Sequence, residues 1–345
     1  MKGKIKDEII VENLKTSRYF QPDPRYSGNN PVAIHPSGKP LRLSTGGNRV
    51  DTVKISLFRG ILLEDEVEIK LALESLPEVW EYNEKERGEG FYREGSFIQH
   101  EAIPYAGGYG EVLLLGIGEI LYVISNSEYT SVVKKVDDLY EIILNSFEPF
   151  FYNGSFTDML SGRGIDRANN SDSVIGHRIL NDILVVSSIF EDYKCKKLED
   201  IVLREIFKYR VEKYLEEEKS PFLYKKLTAL LEKNRGQEIE KYSNSIKVCN
   251  KMARVMKREE KYAFGIAMHS STIGNYEAMN GENLKGWYTG DGAYYLYDGV
   301  NDYKDYWRDV DYYYIPGTTE IKMDMEGLDA QRNFESSFVK DKVAY

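Results

Sequence analysis

The sequence predicts an α+β protein of two domains, with an α-helical domain over residues 1–240 and the first part of an antiparallel β domain over residues 241–345. Two observations predict this arrangement. Before residue 240, about seven stretches with apolar residues at helical spacing follow one another, and no strand is apparent between them. After residue 240, aromatic, β-branched and small residues alternate with turn dipeptides, as in strands and hairpins. A length of 345 residues agrees with about two domains.

The helical stretches follow a loop over residues 21–50 that is rich in Pro, Gly, Ser and Asn. Asp51 is placed to cap the first of them, TVKISLFRGILL. The second, DEVEIKLALESLPEVWEY, is expected to break or kink near Pro77. The others are GEVLLLGIGEILYVI, SVVKKVDDLYEIILNSF, GHRILNDILVVSSIF, LEDIVLREIFKYRVEKYLEEE and PFLYKKLTALLEK. Strand signals then appear in KYAFGIAMHSSTIGNYEAM and WYTGDGAYYLYDG.

Composition excludes several classes of partner. The 46 basic and 56 acidic residues give a net charge of −10, which argues against a general nucleic-acid binder. No apolar run approaches the length of a membrane span, so we expect no membrane partner. The first twenty residues lack the apolar core of a signal peptide. Cys195 and Cys249 have no metal-ligand spacing and are expected to be free thiols.

The segment Gly95–Gly110, GSFIQHEAIPYAGGYG, contains the strongest chemical signal. Glycine turns allow side chains to converge, so His100 and Tyr109 form a plausible proton-transfer pair. Alternatively, His100 is a capping or core histidine and Tyr109 is one of 27 tyrosines with no special role.

Other candidate residues lie elsewhere in the chain. Asn48 follows two glycines, where an asparagine commonly serves a turn. Arg163 and Arg167 are four residues apart, so that a helical turn would let both clamp a carboxylate or sulfate; a surface arginine pair is the commoner explanation. Glu277 and Asn280 lie three residues apart beside a glycine turn, where loop hydrogen bonding is the simpler explanation.

Several familiar motifs are missing from the sequence. The run GGYG lacks the Gly-Lys-Ser/Thr ending of a phosphate-binding loop. There is no HExxH or CxxC motif, and His35, His100, His177 and His269 lack ligand spacing, so we expect neither a metal nor a cofactor. We interpret His177, at the start of a helix, as structural. The absence of GxSxG argues against an acyl hydrolase.

Five motifs in order carry a family resemblance: TGGNRVD, FYREGSFIQHEAIPYAGGYGEVLL, DMLSGRGIDR, NYEAMNGENLKGWYTGDGAYYLY and YIPGTT. Together, from about Asn48 to Thr319, they resemble polysaccharide lyase family 8, which includes hyaluronate, chondroitin AC and xanthan lyases, and in particular the bacterial hyaluronate lyases. The resemblance implies an incomplete α/α toroid of helical hairpins followed by an antiparallel β-sandwich domain. It also implies a central fragment, since the family's early toroid helices and its Asn-Trp-Trp patch have no counterpart upstream of residue 48.

The resemblance implies β-elimination at a uronic acid of hyaluronan or chondroitin, leaving a 4,5-unsaturated sugar. Asn48 would donate a hydrogen bond to the uronate carboxylate and stabilise the developing enolate. Arg163 would support the reaction, and Glu277 would orient the histidine or an arginine. His100 and Tyr109 would transfer protons, with either the histidine or the tyrosine as the base. The residues expected to bind substrate are Arg167, Asn280 and Tyr105. Thr272 stands where the family often has an arginine, which weakens the expected substrate contacts.

We therefore expect a monomeric enzyme that acts on an acidic polysaccharide. The family is extracellular, although no signal peptide is evident in this sequence. Two alternatives remain open: a catalytically silent relative that binds acidic glycan, and a fragment that needs its missing parts. Loss of toroid helices is expected to expose apolar helix faces.

Overall fold

The computed structural model describes residues 7–27, 42–299 and 303–319. His35 and residues 28–41 of the predicted loop over residues 21–50 lie outside these ranges. The helices are α1 (Asp7–Phe20), α2 (Gly46–Leu62), α3 (Glu66–Glu74), α4 (Tyr109–Ile124), α5 (Val136–Ile142), α6 (Asp172–Ser187), α7 (Asp192–Tyr209), α8 (Val211–Glu217), α9 (Pro221–Lys233) and α10 (Tyr306–Asp309).

The strands are short in the helical part and longer after it. They are β1 (Tyr26–Ser27), β2 (Arg42–Leu43), β3 (Gly90–Phe91), β4 (Phe97–Gln99), β5 (Ile103–Pro104), β6 (Phe151–Tyr152), β7 (Ser155–Phe156), β8 (Ser245–Cys249), β9 (Arg254–Arg258), β10 (Ala263–Ala267) and β11 (Ala293–Tyr297). The last four form one antiparallel sheet in the order β11-β10-β9-β8. The predicted fold class, helices followed by an antiparallel sheet, is confirmed.

Two details of the prediction are wrong. The helical part does contain strands, including the three-stranded sheet β3-β4-β5. Each of these strands has only two or three residues, too few to show the alternation by which a strand is recognised. In addition, α2 begins at Gly46 and not near Asp51, so Asn48 lies in the first helical turn. Two successive glycines concealed that start, because glycine disfavours helix.

One of two helix breaks was predicted from the sequence, and the other was not. Helix α3 ends at Glu74, and Pro77 opens a short 3-10 helix, as the proline predicts. The sequence predicts one helix over LEDIVLREIFKYRVEKYLEEE, residues 198–218. In the structure this stretch is divided between α7 and α8 at Arg210, which has a φ of +98°. The predicted domain boundary at residue 240 lies between the end of α9 and the start of β8 and stays a prediction.

The core of the helical part is built around α4, which packs against both α2 and α6. A β-carbon at Gly116 of α4 would lie 2.2 Å from a methyl carbon of Val50, so only glycine permits this close approach of α2. Phe97 and Phe147 are buried against Gly110 in the first turn of α4. The first turns of α2 and α4 are thereby held side by side.

Some apolar side chains remain exposed, as expected from the sequence. Ile55, Phe58 and Leu62 form an exposed row on α2. Cys195 and Cys249 are free, which confirms that prediction. Across the described ranges, no helix has the length and apolarity needed to cross a membrane.

Candidate active site

The segment that carries Asn48 packs against the first residue of α4, Tyr109. A β-carbon at the neighbouring Gly47 would lie 3.2 Å from the carbonyl oxygen of Tyr109. The Asn48 side chain is half-buried, and its amide makes no hydrogen bond with any residue that the structure describes. The amide is therefore free to bind an acidic group.

His100 occupies a strained turn at the end of β4. Its φ is +50° and that of Glu101 is +66°, in the left-handed region that non-glycine residues rarely adopt. Such conformations cost about 1 kcal/mol or more each and persist only where neighbouring contacts hold them. The His100 carbonyl accepts a hydrogen bond from the amide of Ala102 at 2.7 Å. This turn leaves the imidazole a quarter exposed.

The rings of His100 and Tyr109 meet, as the sequence predicts for a proton-transfer pair. Their centroids are 4.5 Å apart in an edge-to-face arrangement. Tyr105 completes the cluster, with its ring 4.9 Å from that of Tyr109 and 5.7 Å from that of His100. Tyr109 is the first residue of α4 and is half-buried, whereas Tyr105 is buried.

Glu277 is the buried centre of the site. Its Oε1 accepts a hydrogen bond from Nδ1 of His100 at 2.5 Å. Its Oε2 accepts one from the Tyr105 hydroxyl at 2.7 Å and one from Nη1 of Arg163 at 3.2 Å. Because an ionised carboxylate only accepts, Nδ1 carries the proton and Nε2 of a neutral His100 is left to accept another. This hydrogen bond holds the imidazole of His100 in one orientation.

Ionisation of this cluster follows from burial and charge. Burial opposes the charge of Glu277, but hydrogen bonds from His100 and Tyr105, together with the charge of Arg163, lower the pKa of its carboxyl group. Burial and the nearby Glu277 raise the pKa of the Tyr105 phenol. Burial lowers the pKa of the Arg163 guanidinium, but its interactions with Tyr109, Tyr105 and Glu277 outweigh burial and raise it. Glu277 is therefore an anion and Tyr105 a neutral donor at neutral pH.

Tyr105 is engaged by the protein itself. Besides donating to Glu277, its oxygen accepts hydrogen bonds from the backbone amide and from Nη1 of Arg163, both at 3.2 Å. Its side chain is only 3% exposed. The predicted substrate-binding role of Tyr105 stays a prediction. Its observed contacts hold the side chains of Glu277 and Arg163 in place.

Arg163 and Arg167 do clamp a carboxylate, and it belongs to Glu282. Nε of Arg163 lies 2.8 Å from Oε2 of Glu282. Arg167 donates to both oxygens of Glu282, through Nε at 2.6 Å and Nη2 at 2.8 Å. Arg163 lies on the 3-10 helix Gly162–Asp166, and Arg167 directly follows it. The sequence offered a clamp as one possibility beside a surface arginine pair, and it did not identify Glu282, whose only signal is its position after an Asn-Gly turn.

Asn280 forms that turn. It and Gly281 have φ values of +58° and +80°, the pattern of a tight hairpin turn between Met279 and Glu282. The Asn280 side chain is exposed. Asn283 anchors the turn through two hydrogen bonds. Its backbone amide donates to Oδ2 of Asp166 at 2.9 Å, and its side-chain amide donates to the backbone carbonyl of Glu277 at 2.8 Å. Substrate binding by Asn280 stays a prediction.

An open cleft adjoins the start of α2. Its volume is about 530 Å³, and its walls include Thr45, Arg49, Tyr82, Glu89 and Phe97. Within the described ranges, no group of three or more His, Cys, Asp or Glu side chains is arranged to hold a metal ion. The assembled groups therefore offer proton transfer and binding of an acidic ligand beside a cleft.

Two family models match the chain. The model of the N-terminal α-helical domain of polysaccharide lyase family 8 matches residues 1–204. That of the super-sandwich domain of the same family matches residues 244–339.

Individual relatives agree with the family models. A hyaluronate lyase of Staphylococcus aureus is 31% identical over 340 residues, which cover 93% of this chain and 41% of the relative. The crystal structure of a Paenibacillus xanthan lyase matches with a TM-score of 0.73 at 30% identity, over 79% of this chain and 26% of that one.

A Streptomyces coelicolor chondroitin AC lyase in complex with chondroitin sulphate gives a TM-score of 0.76 at 27% identity, over 82% and 39% of the two chains. This chain thus spans less than half the length of these relatives. The matches to both family models, over helices and sheet alike, show that the chain belongs to polysaccharide lyase family 8.

Proposed function

We propose that this chain carries the reaction centre of a lyase that cleaves a uronic-acid-containing polysaccharide, hyaluronan or chondroitin, by β-elimination. The observation that carries the proposal is the contact between the rings of His100 and Tyr109, with the buried Glu277 hydrogen-bonded to His100 and the segment of Asn48 packed against Tyr109. The relatives, which are named as hyaluronate, xanthan and chondroitin AC lyases, support the substrate class.

The chemistry begins at the uronate carboxylate. Removing the C5 proton beside an ionised carboxylate places further negative charge on that group. The Asn48 amide donates a hydrogen bond to the carboxylate and stabilises the charge as it develops. A preorganised donor of this kind contributes about 3 kcal/mol to the transition state.

Proton transfer completes the elimination without water as a reactant. The C5–H bond breaks, its electron pair forms the C4–C5 double bond, and the C4–O bond breaks. Nε2 of His100 or the phenolate of Tyr109 takes the proton, and the Tyr109 phenol protonates the leaving oxygen. The Arg163 guanidinium, 5.8 Å from the Tyr109 ring centroid, stabilises negative charge on the phenol oxygen.

An ultraviolet assay tests the proposed function. Purified protein is mixed separately with hyaluronan, chondroitin and xanthan, and absorbance of the conjugated, unsaturated product is followed. Growth of that signal with one polymer supports elimination and identifies the substrate. A folded protein that gives no signal with any polymer contradicts the proposal, and binding of polymer by that protein would then indicate a silent glycan-binding relative.

Asn48 provides a specific prediction for this mechanism. Asn48→Ala is expected to lower kcat about 100-fold to 1000-fold, because the uronate charge loses its donor. Asn48→Asp should lose at least as much, since it places a second carboxylate against the first. Steady-state rates from the ultraviolet assay measure both. Activity within threefold of the parent in both variants would remove Asn48 from the mechanism.

Glu282 provides a second prediction, because it neutralises the two arginines that would bind an acidic substrate. Glu282→Gln is expected to lower KM for the polysaccharide severalfold, up to about tenfold, and to steepen its salt dependence. The matched control is Glu240→Gln, which removes an exposed carboxylate paired with Lys197. A KM that rises or stays the same in Glu282→Gln would mean that the arginine pair serves only to hold the turn.

We further propose that the protein acts as a monomer on its polysaccharide, without nucleic acid or membrane, and outside the cell. The residues given a role in the proposed reaction all belong to one chain, so the mechanism requires no group from a second copy. A polymeric substrate is most readily met outside the cell, which supports that location. Light scattering at assay concentration and fractionation of the producing cells test the two statements.

A further inference from the structure

Glu89 joins the two segments that carry Asn48 and His100. Its Oε2 accepts hydrogen bonds from the Thr45 hydroxyl at 2.5 Å and from Nε2 of Gln99 at 2.9 Å. Its Oε1 accepts one from the backbone amide of Glu101 at 3.1 Å. The carboxylate thus binds the residue before α2 and both neighbours of His100 in the chain.

Thr45 shows that this link replaces an ordinary local contact. It occupies the N-cap position of α2, where a threonine hydroxyl normally accepts a hydrogen bond from the first helical turn. Here the hydroxyl makes no capping bond. It donates to Glu89 and also accepts a hydrogen bond from Nε2 of Gln99 at 3.1 Å. The Thr45 side chain therefore links the start of α2 to the His100 segment and does not cap the helix.

Gly46, at the start of α2, lies in close contact with Gln99 of the His100 segment. Its φ is +50°, and a β-carbon there would lie 2.0 Å from Oε1 of Gln99. Asn48 follows two residues later, and His100 directly follows Gln99. Any shift of α2 relative to the strand end would therefore change the distance between the Asn48 amide and the His100 imidazole.

The His100 turn needs such support. His100 and Glu101 both adopt left-handed backbone conformations, which relax unless neighbours hold them. The hydrogen bond from the Glu101 amide to Glu89 is one of the contacts that hold the turn. A productive site requires its groups to stay within about half an ångström of the reactive arrangement.

We propose that Glu89 is a positioning residue that sets the separation of Asn48 and His100, an inference that rests on the proposed function. It acts through Thr45, Gln99 and Glu101 and not by contact with substrate. The opposite explanation is a simple charge on the cleft wall, which would repel an acidic polysaccharide. The two explanations differ in sign, because losing a repulsive charge lowers KM, whereas losing a positioning contact lowers kcat.

Glu89→Gln tests the proposal. Its three partners all donate to the carboxylate, so the amide nitrogen of glutamine would face a donor and at least one bond is lost. We expect kcat to fall about tenfold to 100-fold, with KM changed less than about twofold. The matched control is Glu84→Gln, since Glu84 is an exposed carboxylate of the same cleft paired with Arg93. The control should stay within about twofold of the parent in both constants.

Thr45→Val makes the test independent of the glutamate. It keeps the branched shape and removes the hydroxyl, so kcat should fall in the same direction. In the variant that carries both substitutions, kcat should fall by less than the product of the two single-variant factors, because both substitutions break the same linkage. An unchanged kcat with a lowered KM in Glu89→Gln would overturn the proposal, as would a kcat loss that matches the unfolded fraction.

A nuclear magnetic resonance measurement separates failure of this inference from failure of the proposed function. The ring signals of His100 are assigned by comparison with a His100→Asn variant and then followed in Glu89→Gln and Glu84→Gln. A displaced or broadened His100 signal in Glu89→Gln alone supports positioning even if no polymer is cleaved. An unchanged signal overturns it whether or not the protein is a lyase.

Discussion

Tyr109→Phe is expected to reduce elimination about 1000-fold while leaving the fold intact. The phenol is the only proton donor proposed for the leaving oxygen, and general acid–base groups contribute about 100-fold to 10,000-fold. Phenylalanine keeps the edge-to-face contacts with His100 and Tyr105, so the free energy of unfolding should change by less than about 0.5 kcal/mol. The ultraviolet assay and thermal unfolding measure the two effects.

The control is Tyr193→Phe, which removes a phenol from an exposed ring of α7. Its activity should equal that of the parent. A Tyr109→Phe variant that retains more than about a tenth of the parent's activity would contradict any acid–base role of the phenol.

The same variant distinguishes the two possible bases. A substrate whose C4 substituent leaves without protonation, such as a fluoride, makes the acid step unnecessary. If His100 takes the C5 proton, this substrate restores most of the activity of Tyr109→Phe. If Tyr109 performs both transfers, the variant remains inactive and His100→Asn is the milder substitution.

Glu277→Gln is expected to lower kcat about 100-fold and to destabilise the protein by about 2 kcal/mol. Three donors converge on this carboxylate, and a glutamine amide nitrogen would face at least one of them. The imidazole then loses the acceptor that keeps the proton on Nδ1, and the buried Arg163 loses one of its two carboxylate partners. Steady-state kinetics and denaturant unfolding measure the two losses.

The stability difference should depend on pH in a defined direction. Folding lowers the pKa of the Glu277 carboxyl group, since its hydrogen bonds and nearby charges outweigh burial. The ionised carboxylate therefore contributes stability above the pKa of an unfolded glutamate, about 4.3, and this contribution is lost as pH falls through the folded value. The difference between parent and Glu277→Gln should be full near neutral pH and shrink in acid.

Glu240→Gln again serves as the matched substitution, and it should not show the kinetic loss. A parent and a Glu277→Gln variant that differ by the same free energy at pH 7 and at pH 3 would show that packing, and not charge, stabilises this position.

Local sequence sufficed where the determining interactions are local. Apolar periodicity predicted α4 and α6, and Pro77 predicted the end of α3. Turn dipeptides and the change of composition after residue 240 predicted the antiparallel sheet. Two glycines masked the start of α2, and strands of two or three residues were too short to produce a pattern.

Family motifs supplied the candidate residues but not their contacts. His100 and Glu277 are 177 positions apart, and Arg167 and Glu282 are 115 apart. No spacing rule relates side chains at such separations, so Glu282 and Glu89 were not among the predicted site residues. Asn280 and Tyr105 were candidates for substrate binding. In the structure Asn280 lies in a tight turn, and the buried Tyr105 hydroxyl donates a hydrogen bond to Glu277.

The sequence by itself determined the order of helices and sheet, the family, and a set of candidate residues for proton transfer. Those properties depend on local periodicity and on motifs, both of which are readable along the chain. Only the tertiary structure decided that Glu277 fixes the His100 tautomer, that Glu282 occupies the arginine clamp, and that Glu89 ties α2 to the His100 turn. These are hydrogen bonds between distant segments, and their partners are chosen when helices and sheet pack and exclude water from the groups between them.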